Sequence, residues 1–220
     1  MDRKQAARIF HLLFNEYPNA AEPEVSTGRG SPYEVLILTI LSAQTTDLAV
    51  DKVRSTLFNH YPTPDALGRA KIKDVEKIIH SLGFYHVKAK NIIATAEELA
   101  SRFKGKVPQT MEDLLSLPGV GRKTANIVLY HAFARNEGIA VDTHVRRLSS
   151  RIGFSDSTTQ ERVEKRLMAL FPKKWWGCVT DLLISHGRAC CTARNPQCSH
   201  CSISPYCSYY NETVQGQANE

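Results

Sequence analysis

One stretch decides the fold of this chain, Leu117-Pro118-Gly119-Val120-Gly121-Arg122-Lys123-Thr124-Ala125. Two glycines that flank one small apolar residue let the backbone turn sharply between two helices. Such a turn leaves bare backbone N–H groups at the start of the second helix, where they can face a phosphate. We therefore expect a helical hairpin in which Gly119 and Gly121 grip a nucleic-acid backbone.

Two residues near this turn have side chains that could take part in catalysis. Lys123 stands just past the second glycine, and Asp142 follows it by nineteen residues within Val141-Asp142-Thr143-His144. A lysine amine can attack C1′ of a deoxynucleotide as a damaged base leaves, which gives a Schiff base. A nearby carboxylate can stabilise the positive sugar or move protons. Plainer interpretations stay open, since Lys123 could only contact a phosphate and Asp142 could only cap a helix.

Length, charge and hydropathy exclude several classes of protein. The 220 residues could form one large domain or two small ones. Lys plus Arg outnumber Asp plus Glu by 28 to 22, and the formal charge of +6 suits an anionic partner. The amino terminus lacks the apolar core of a signal peptide, and no apolar run reaches the roughly 18–20 residues of a membrane span. We expect a cytoplasmic protein without a membrane partner.

Helix signals recur along the chain, and strand signals are nearly absent. Ser31-Pro32-Tyr33-Glu34 forms a capping box with proline at the first helical position, and Thr110 opens a later helix in a similar way. Gly83, Gly153 and Gly187 stand where helices should stop, as left-handed residues after the last turn. The pattern predicts an all-α chain of about ten helices.

Four of the six cysteines fall within seventeen residues, as Cys191-x6-Cys198-x2-Cys201-x5-Cys207. In a cytosolic chain such a group favours a metal site over disulfides, because that compartment keeps thiols reduced. Zinc and an iron–sulfur cluster both stay open, because the single close pair is unusual for structural zinc and the spacing matches neither ferredoxin pattern. Cys190 is an alternative ligand, and Cys178 is expected to be a buried free thiol.

The loop between the first two of these cysteines would be pinned at both ends by the metal. It contains Arg194, which such a loop could hold out towards a phosphate. An arginine that only faces solvent is the alternative, and the sequence alone does not choose between the two.

Together these motifs resemble one protein family. The hairpin with Lys123, the segment around Asp142 and the cysteine pattern after His186-Gly187-Arg188 are similar to endonuclease III, a DNA glycosylase with an attached lyase activity. The similarity runs from about residue 3 to residue 210. The three motifs keep the order and spacing of the family.

The resemblance implies the helix-hairpin-helix DNA glycosylase fold, in which DNA lies in a cleft between two helical domains. It assigns residues 25–135 to the helical domain with the hairpin. The iron–sulfur domain would take residues 1–24 plus 136–210, and we expect residues 211–220 to be a disordered tail.

The resemblance also implies a cofactor and two catalytic residues. It favours a [4Fe–4S] cluster over zinc, with four cysteine ligands, Cys191, Cys198, Cys201 and Cys207. Lys123 matches the nucleophile of the family, and Asp142 matches its catalytic carboxylate. Once the Schiff base has formed, the iminium acidifies the C2′ proton of the sugar, so the 3′ phosphate can leave by β-elimination.

Two further residues match positions that enter the DNA in this family. Gln44 matches a residue that fills the gap left by the flipped base. Phe84 falls where the family places an apolar wedge, often leucine, and a ring at this position departs from that pattern. On their residue types alone, Gln44 could be a polar helix end and Phe84 a core aromatic.

The expected partner is double-stranded DNA with damaged bases or abasic sites, bound by a monomer associated with the nucleoid. The usual substrates of the family are oxidised or ring-saturated pyrimidines. A glycosylase for mismatched thymine, uracil or adenine from the same superfamily is the nearest alternative. A DNA-binding module without catalysis, whose cluster senses redox state, is the alternative from another class.

Overall fold

The structure is a computed structural model that describes residues 1–23 and 30–215. Every regular element in these residues is helical, which confirms the predicted all-α class. Three of the α-helices are short, with five residues or fewer. The α-helices of the described residues are α1 (Arg3–Glu16), α2 (Pro32–Leu41), α3 (Asp47–His60), α4 (Pro64–Gly68), α5 (Ile72–Ile79), α6 (Tyr85–Arg102), α7 (Met111–Leu115), α8 (Arg122–Phe133), α9 (Thr143–Ile152), α10 (Gln160–Leu170), α11 (Trp176–Ala189) and α12 (Ser208–Tyr210).

Single helical turns connect some of these helices. They are the 3-10 turns Pro18–Ala21, Lys173–Trp175, Cys198–His200 and Ser204–Tyr206, and the π-helical turn Asn211–Gln215. The π-helical turn lies within the segment 211–220 that was expected to be disordered. It continues α12, because Asn211 N donates to Cys207 O at 3.1 Å and the Thr213 hydroxyl donates to Tyr209 O. Residues 216–220 of that segment lie outside the described residues.

The predicted helix starts are confirmed by their side-chain caps. Ser31 Oγ accepts a hydrogen bond from Glu34 N at 3.3 Å, and Glu34 Oε2 accepts one from Ser31 N at 3.2 Å, which completes the capping box of α2. Thr110 Oγ1 accepts a hydrogen bond from Asp113 N at 3.2 Å at the start of α7. These local side chains satisfy N–H groups that a helix cannot satisfy itself.

Of the three glycines predicted to stop helices, only Gly153 has the expected conformation, with φ +92 after α9. Gly83 is not left-handed, and the next residue, Phe84, takes the positive φ. The prediction for Gly187 is wrong, because Gly187 lies inside α11. A Cβ there would lie 3.2 Å from Cδ2 of His144, so the glycine lets α11 approach α9 closely.

The chain divides into two compact units. We call Pro23–Arg135 the hairpin unit, and Met1–Glu22 with Asn136–Glu220 the terminal unit. In the hairpin unit α6 packs against α4, α5 and α2, and α2 also packs against α8. In the terminal unit α11 packs against α9 and α1. Each unit has its own buried apolar core.

None of the helices in the described part of the chain has the length and hydropathy needed to span a membrane.

A pair of glycine variants tests the backbone of these turns. Gly105 and Gly153 have φ +74 and +92, but a Cβ on Gly153 would also lie 2.3 Å from Ser208 Oγ. Gly105→Ala should lower the free energy of unfolding by about 1–2 kcal/mol, the strain of a left-handed alanine. Gly153→Ala should lower it further, as measured by urea denaturation, and Ser208→Ala should recover part of that difference. Equal losses for the two glycines would contradict this account.

Candidate functional site

The hairpin joins α7 to α8 through residues 116–121, and its turn is fastened to α6. Gly119 has φ +75, a value that favours glycine. A Cβ at this position would lie only 2.9 Å from Nδ2 of Asn91 on α6. The hydroxyl of Thr95, one turn further along α6, donates to Pro118 O at 2.7 Å. The predicted hairpin is therefore present, and its turn is held by a helix that is distant in sequence.

The amino terminus of α8 has no side-chain cap, and there is free space beside its first residues. Its N-cap residue is Gly121, which has an extended backbone (φ −97, ψ 176) and no side chain to cap the helix. A Cβ built on Gly121 meets no heavy atom of the described residues within 4 Å. The first N–H groups of a helix have no partner within it, and a site of this kind suits an anion. Lys123, the second residue of α8, is exposed beside it.

Asp142 is the N-cap residue of α9. Its Oδ1 accepts a hydrogen bond from Val145 N at 2.8 Å, and its Oδ2 lies 3.4 Å from Nδ1 of His144. The carboxylate is mostly buried, with 16% of the side chain exposed. Asp142 thus has the helix-capping role that the sequence left open, and both contacts fix the orientation of its carboxylate. Its catalytic role stays a prediction.

Gln44 and Phe84 share a rare backbone conformation. Their φ values are 53 and 57, in the left-handed region, which costs a residue other than glycine roughly 1–2 kcal/mol. Both side chains are exposed, and 68% of Phe84 is accessible, so Phe84 is not the core aromatic that its residue type allowed. Strained backbone of this kind clusters at functional sites.

Sequence reasoning missed a buried lysine next to these two residues. Lys88 on α6 is only 4% exposed, and its Nζ donates a hydrogen bond to Thr45 Oγ1. Burial lowers the pKa of the Lys88 ammonium. The available signal was the position of Lys88 in the first turn of the helix that begins directly after Phe84. A lysine at such a position would ordinarily be interpreted as solvated.

The cysteines converge on one cavity of the terminal unit. It is lined by the four predicted ligands, Cys191, Cys198, Cys201 and Cys207. Cys190 lines the same cavity, and Ile152 and Ile203 give it an apolar wall. Cys178 lies outside this lining, on α11, and is half-buried where the sequence predicted a buried thiol.

The chemistry of this donor set fits a soft cationic centre. Burial raises the pKa of Cys201 to about 12 and also raises the pKa values of Cys198 and Cys207. Thiols in such surroundings stay protonated unless a positive centre stabilises the thiolates, and the thiolate is the form that binds metal. Four sulfur atoms around one apolar cavity suit a cubane iron–sulfur cluster.

Two arginines of α9, both missed by sequence reasoning, hold the cysteine loop. Arg147 Nη2 donates to Cys191 O at 3.1 Å. Arg151 donates to Thr192 O at 2.7 Å and to Ala193 O at 2.8 Å, and its Nη1 lies 3.4 Å from Cys191 Sγ. Hydrogen bonds from a charged group to a thiolate stabilise it and tune a bound cluster. Since these contacts join residues about forty positions apart, sequence spacing gave no signal for them.

Cys190 stays an alternative ligand on geometry. The ligand atoms of His186, Cys190 and Cys201 lie within 4.8 Å of one another. His186 is buried, and its Nε2 lies 3.5 Å from Cys201 Sγ, while the hydroxyl of Tyr17 lies 3.1 Å from its Nδ1. The histidine therefore supports the wall of the cavity from its α11 side.

Arg194 is exposed on the loop between the first two cysteines. Thr192 Oγ1 donates to Asn195 O at 2.7 Å, and Gln197 N donates to Cys190 O at 3.0 Å, so the loop is held at both ends. The position of Arg194 is compatible with either interpretation of its side chain, a phosphate contact or a solvated charge.

Comparisons with known proteins agree with this geometry. Residues 37–173 match the family described as HhH-GPD superfamily base excision DNA repair protein, and residues 191–207 match the iron-sulfur binding domain of endonuclease III. Endonuclease III of a Synechocystis species is 44% identical over 93% of this chain and 92% of its own length.

Two solved structures are similar along almost the whole chain. A trapped covalent intermediate of endonuclease III with DNA has a TM-score of 0.87 at 36% identity, covering 97% of this chain and 99% of that one. A non-covalent endonuclease III–DNA complex has a TM-score of 0.88 at 37% identity, covering 98% and 99%.

The hairpin fold and the cysteine cavity define a helix-hairpin-helix protein of the HhH-GPD superfamily with an iron–sulfur domain. Within that superfamily, the chain belongs to the endonuclease III family. The predicted resemblance and the predicted [4Fe–4S] cofactor are thereby confirmed.

Replacing Arg151 should increase the rate at which iron is lost from the cysteine site. Arg151→Met removes two hydrogen bonds to loop carbonyls and the contact with Cys191 Sγ. Because a charged hydrogen bond contributes about 1.5–3 kcal/mol, we expect a chelator to release iron roughly tenfold faster or more. Iron release followed by visible absorbance measures this. Arg146→Met, an exposed change on the same helix, is the control, and equal rates for both variants would refute the role of Arg151.

Proposed function

We propose that the chain is a bifunctional DNA repair enzyme, a DNA N-glycosylase and AP lyase of base excision repair. One observation carries the proposal: the exposed Lys123 lies beside the open amino end of α8, where a phosphate can bind. A similar protein, 36% identical, has been trapped as a covalent intermediate with DNA, which supports a covalent mechanism.

In the proposed reaction the Lys123 amine attacks C1′ of the damaged nucleotide. The bond from C1′ to the base breaks, and the base leaves with a proton from the amine. The C1′–O4′ bond then opens, O4′ takes up a proton, and C1′ and the amine nitrogen form a protonated Schiff base. A proton is then lost from C2′, and its electron pair expels the 3′ phosphate, which cleaves the strand by β-elimination. Water finally releases the sugar fragment from Lys123. One amine therefore performs both base removal and strand cleavage.

Asp142 would stabilise the positive charge that develops on the sugar, or move protons between steps. Its role as the cap of α9 supports this proposal. A carboxylate fixed by Val145 N and His144 needs little reorganisation when charge appears on the substrate.

The hairpin glycines would bind one phosphate of the strand while Lys123 reacts. Gly119 shapes the turn and Gly121 leaves room for the backbone of the DNA. A contact of this kind positions the strand without reading its sequence. Arg194 would add a second phosphate contact from the cysteine loop.

Base extrusion would be assisted by Gln44 and Phe84. Extrusion costs a few kcal/mol, and side chains that enter the vacated space offset part of it. The exposed phenyl ring of Phe84 would enter the opposite strand, while Gln44 would fill the gap left by the base. Two further apolar side chains, Leu48 and Val87, are 69% and 59% exposed close in sequence to these residues, which supports an apolar surface for unstacked bases.

The substrates we propose are oxidised or ring-saturated pyrimidines and abasic sites in double-stranded DNA, bound by a monomer at the nucleoid. The cluster would be held by four thiolates, from Cys191, Cys198, Cys201 and Cys207, and would supply a redox-capable iron–sulfide centre. Its ligands fasten the loop that carries Arg194. We assign residues 25–135 to the helical domain that contains the hairpin, and residues 1–24 plus 136–210 to the iron–sulfur domain.

Loss of the Lys123 amine should abolish covalent trapping. Borohydride reduces a Schiff base, so the wild-type protein should become attached to abasic DNA and Lys123→Gln should not, with band shift on a denaturing gel as the measurement. Lys106→Gln removes an exposed lysine from the same unit and should trap like the wild type. Equal trapping by Lys123→Gln would remove Lys123 from the mechanism.

A side chain at Gly121 should weaken DNA binding and leave the fold intact. Gly121 has an extended backbone that any residue adopts, and its Cβ would project into open space. Because valine is a poorer N-cap than glycine, we expect Gly121→Val to lower the free energy of unfolding, measured by urea denaturation, by at most about 1 kcal/mol. Its affinity for abasic duplex, measured by fluorescence anisotropy, should fall about tenfold, since one charge-assisted phosphate contact is lost. Unchanged affinity would show that no phosphate approaches this helix end.

A further inference from the structure

Two turns of the hairpin unit lie next to each other and share an unusual backbone. Gln44, between α2 and α3, has φ 53, and Phe84, at the start of α6, has φ 57. A Cβ on Gly83 would lie 3.9 Å from Gln44 O, which brings the two turns into contact. These are the turns whose side chains enter the DNA in the proposed function.

One lysine connects the two turns. Lys88 lies one helical turn after Phe84, and its backbone N–H donates to Phe84 O at 3.1 Å. Its side chain extends to the other turn, where Nζ donates to Thr45 Oγ1. The Thr45 hydroxyl has its own proton to donate, and Ala43 O accepts it at 3.4 Å. A chain of hydrogen bonds thus runs from α6 to the residues on both sides of Gln44.

The burial of Lys88 indicates that this connection has a structural role. The residue is 4% exposed, and its described partner is a hydroxyl group, which compensates a buried ammonium less well than a carboxylate does. An apolar side chain of similar length would avoid that desolvation penalty. A buried polar link of this kind specifies one arrangement of the groups that it joins.

We propose that Lys88 and Thr45 form a clamp that holds the Gln44 turn and the Phe84 turn as one rigid element for entry into the DNA duplex. The proposal rests on the proposed function and adds Lys88 to it as a positioning residue. If the two turns are fixed before binding, less conformational entropy is lost when they enter the duplex. The clamp therefore matters most when a base pair must be opened, and least when there is none to open.

Hydroxyl-specific variants test the clamp. Thr45→Val removes the hydroxyl and keeps the shape, Thr45→Ser keeps the hydroxyl, and Lys88→Met removes the ammonium. Each is assayed in single turnover on thymine glycol opposite adenine and on thymine glycol opposite an abasic spacer. On the paired lesion, Thr45→Val and Lys88→Met should lose about tenfold in rate, in line with one charged hydrogen bond. On the unpaired lesion both should stay within about twofold of the wild type.

A spectroscopic measurement and a double variant distinguish a positioning role of Lys88 and Thr45 from a general loss of protein structure. The fluorescence of 2-aminopurine placed opposite the lesion should rise more slowly in the two clamp variants, because the base pair opens more slowly. The double variant should be no slower than the slower single variant, since both changes break one link. Thr45→Ser should behave like the wild type, and so should Lys90→Met, an exposed change on the same helix.

Three results would overturn the clamp: equal losses on the paired and unpaired lesions, additive effects in the double variant, or wild-type rates for Thr45→Val. If Lys88→Met does not fold, the contrast between Thr45→Val and Thr45→Ser decides. A wild-type protein that excises neither lesion would refute the proposed function and the clamp together. An active wild type with unaffected clamp variants would refute the clamp alone.

Discussion

The hairpin unit depends on one face of α6 against which the other functional segments pack. Lys88, Asn91 and Thr95 follow one another at spacings of three and four residues, which places them on one side of α6, and Phe84 is the residue before its first turn. Lys88 contacts the Gln44 turn, and Thr95 donates to Pro118 O. Asn91 lies so close to Gly119 that a Cβ on that glycine would be 2.9 Å from its Nδ2. Because a single rigid helix positions these three side chains, the hairpin turn and the Gln44 turn are held in one arrangement.

The terminal unit uses α9 in a comparable way. Its first turn is capped by Asp142, and its later turns contact the cysteine loop through Arg147 and Arg151. Gly187 allows α11, which leads into that loop, to approach α9 closely. The orientation of the Asp142 carboxylate and the position of the cysteine loop are therefore fixed by the same helix.

What could be predicted from the sequence was local chemistry. The capping box at Ser31 and the left-handed Gly153 depend on neighbouring residues only, so their patterns predicted them correctly. Gly187 was predicted wrongly because its reason is the packing of a helix distant in sequence. The family resemblance supplied roles for Gln44 and Phe84 but not their shared backbone conformation, which depends on tertiary context. Lys88 and Arg151 were missed for the same physical reason. Their partners lie forty or more residues away in the sequence, so no local pattern indicates the contacts.

Several departures from ordinary folding preferences occur together in two adjacent turns of the hairpin unit. Two of the four residues other than glycine that have positive φ in the described part of the chain, Gln44 and Phe84, lie there, whereas Lys104 and Ala134 lie elsewhere. The same two turns carry an exposed phenyl ring and a buried lysine. The left-handed backbone and the buried lysine each lower stability. Their coincidence is explained if the turns must stay rigid while presenting an apolar ring to a partner that can accept it. A DNA duplex with a weakened base pair is such a partner, because its stacked bases offer an apolar interior that opens at low cost.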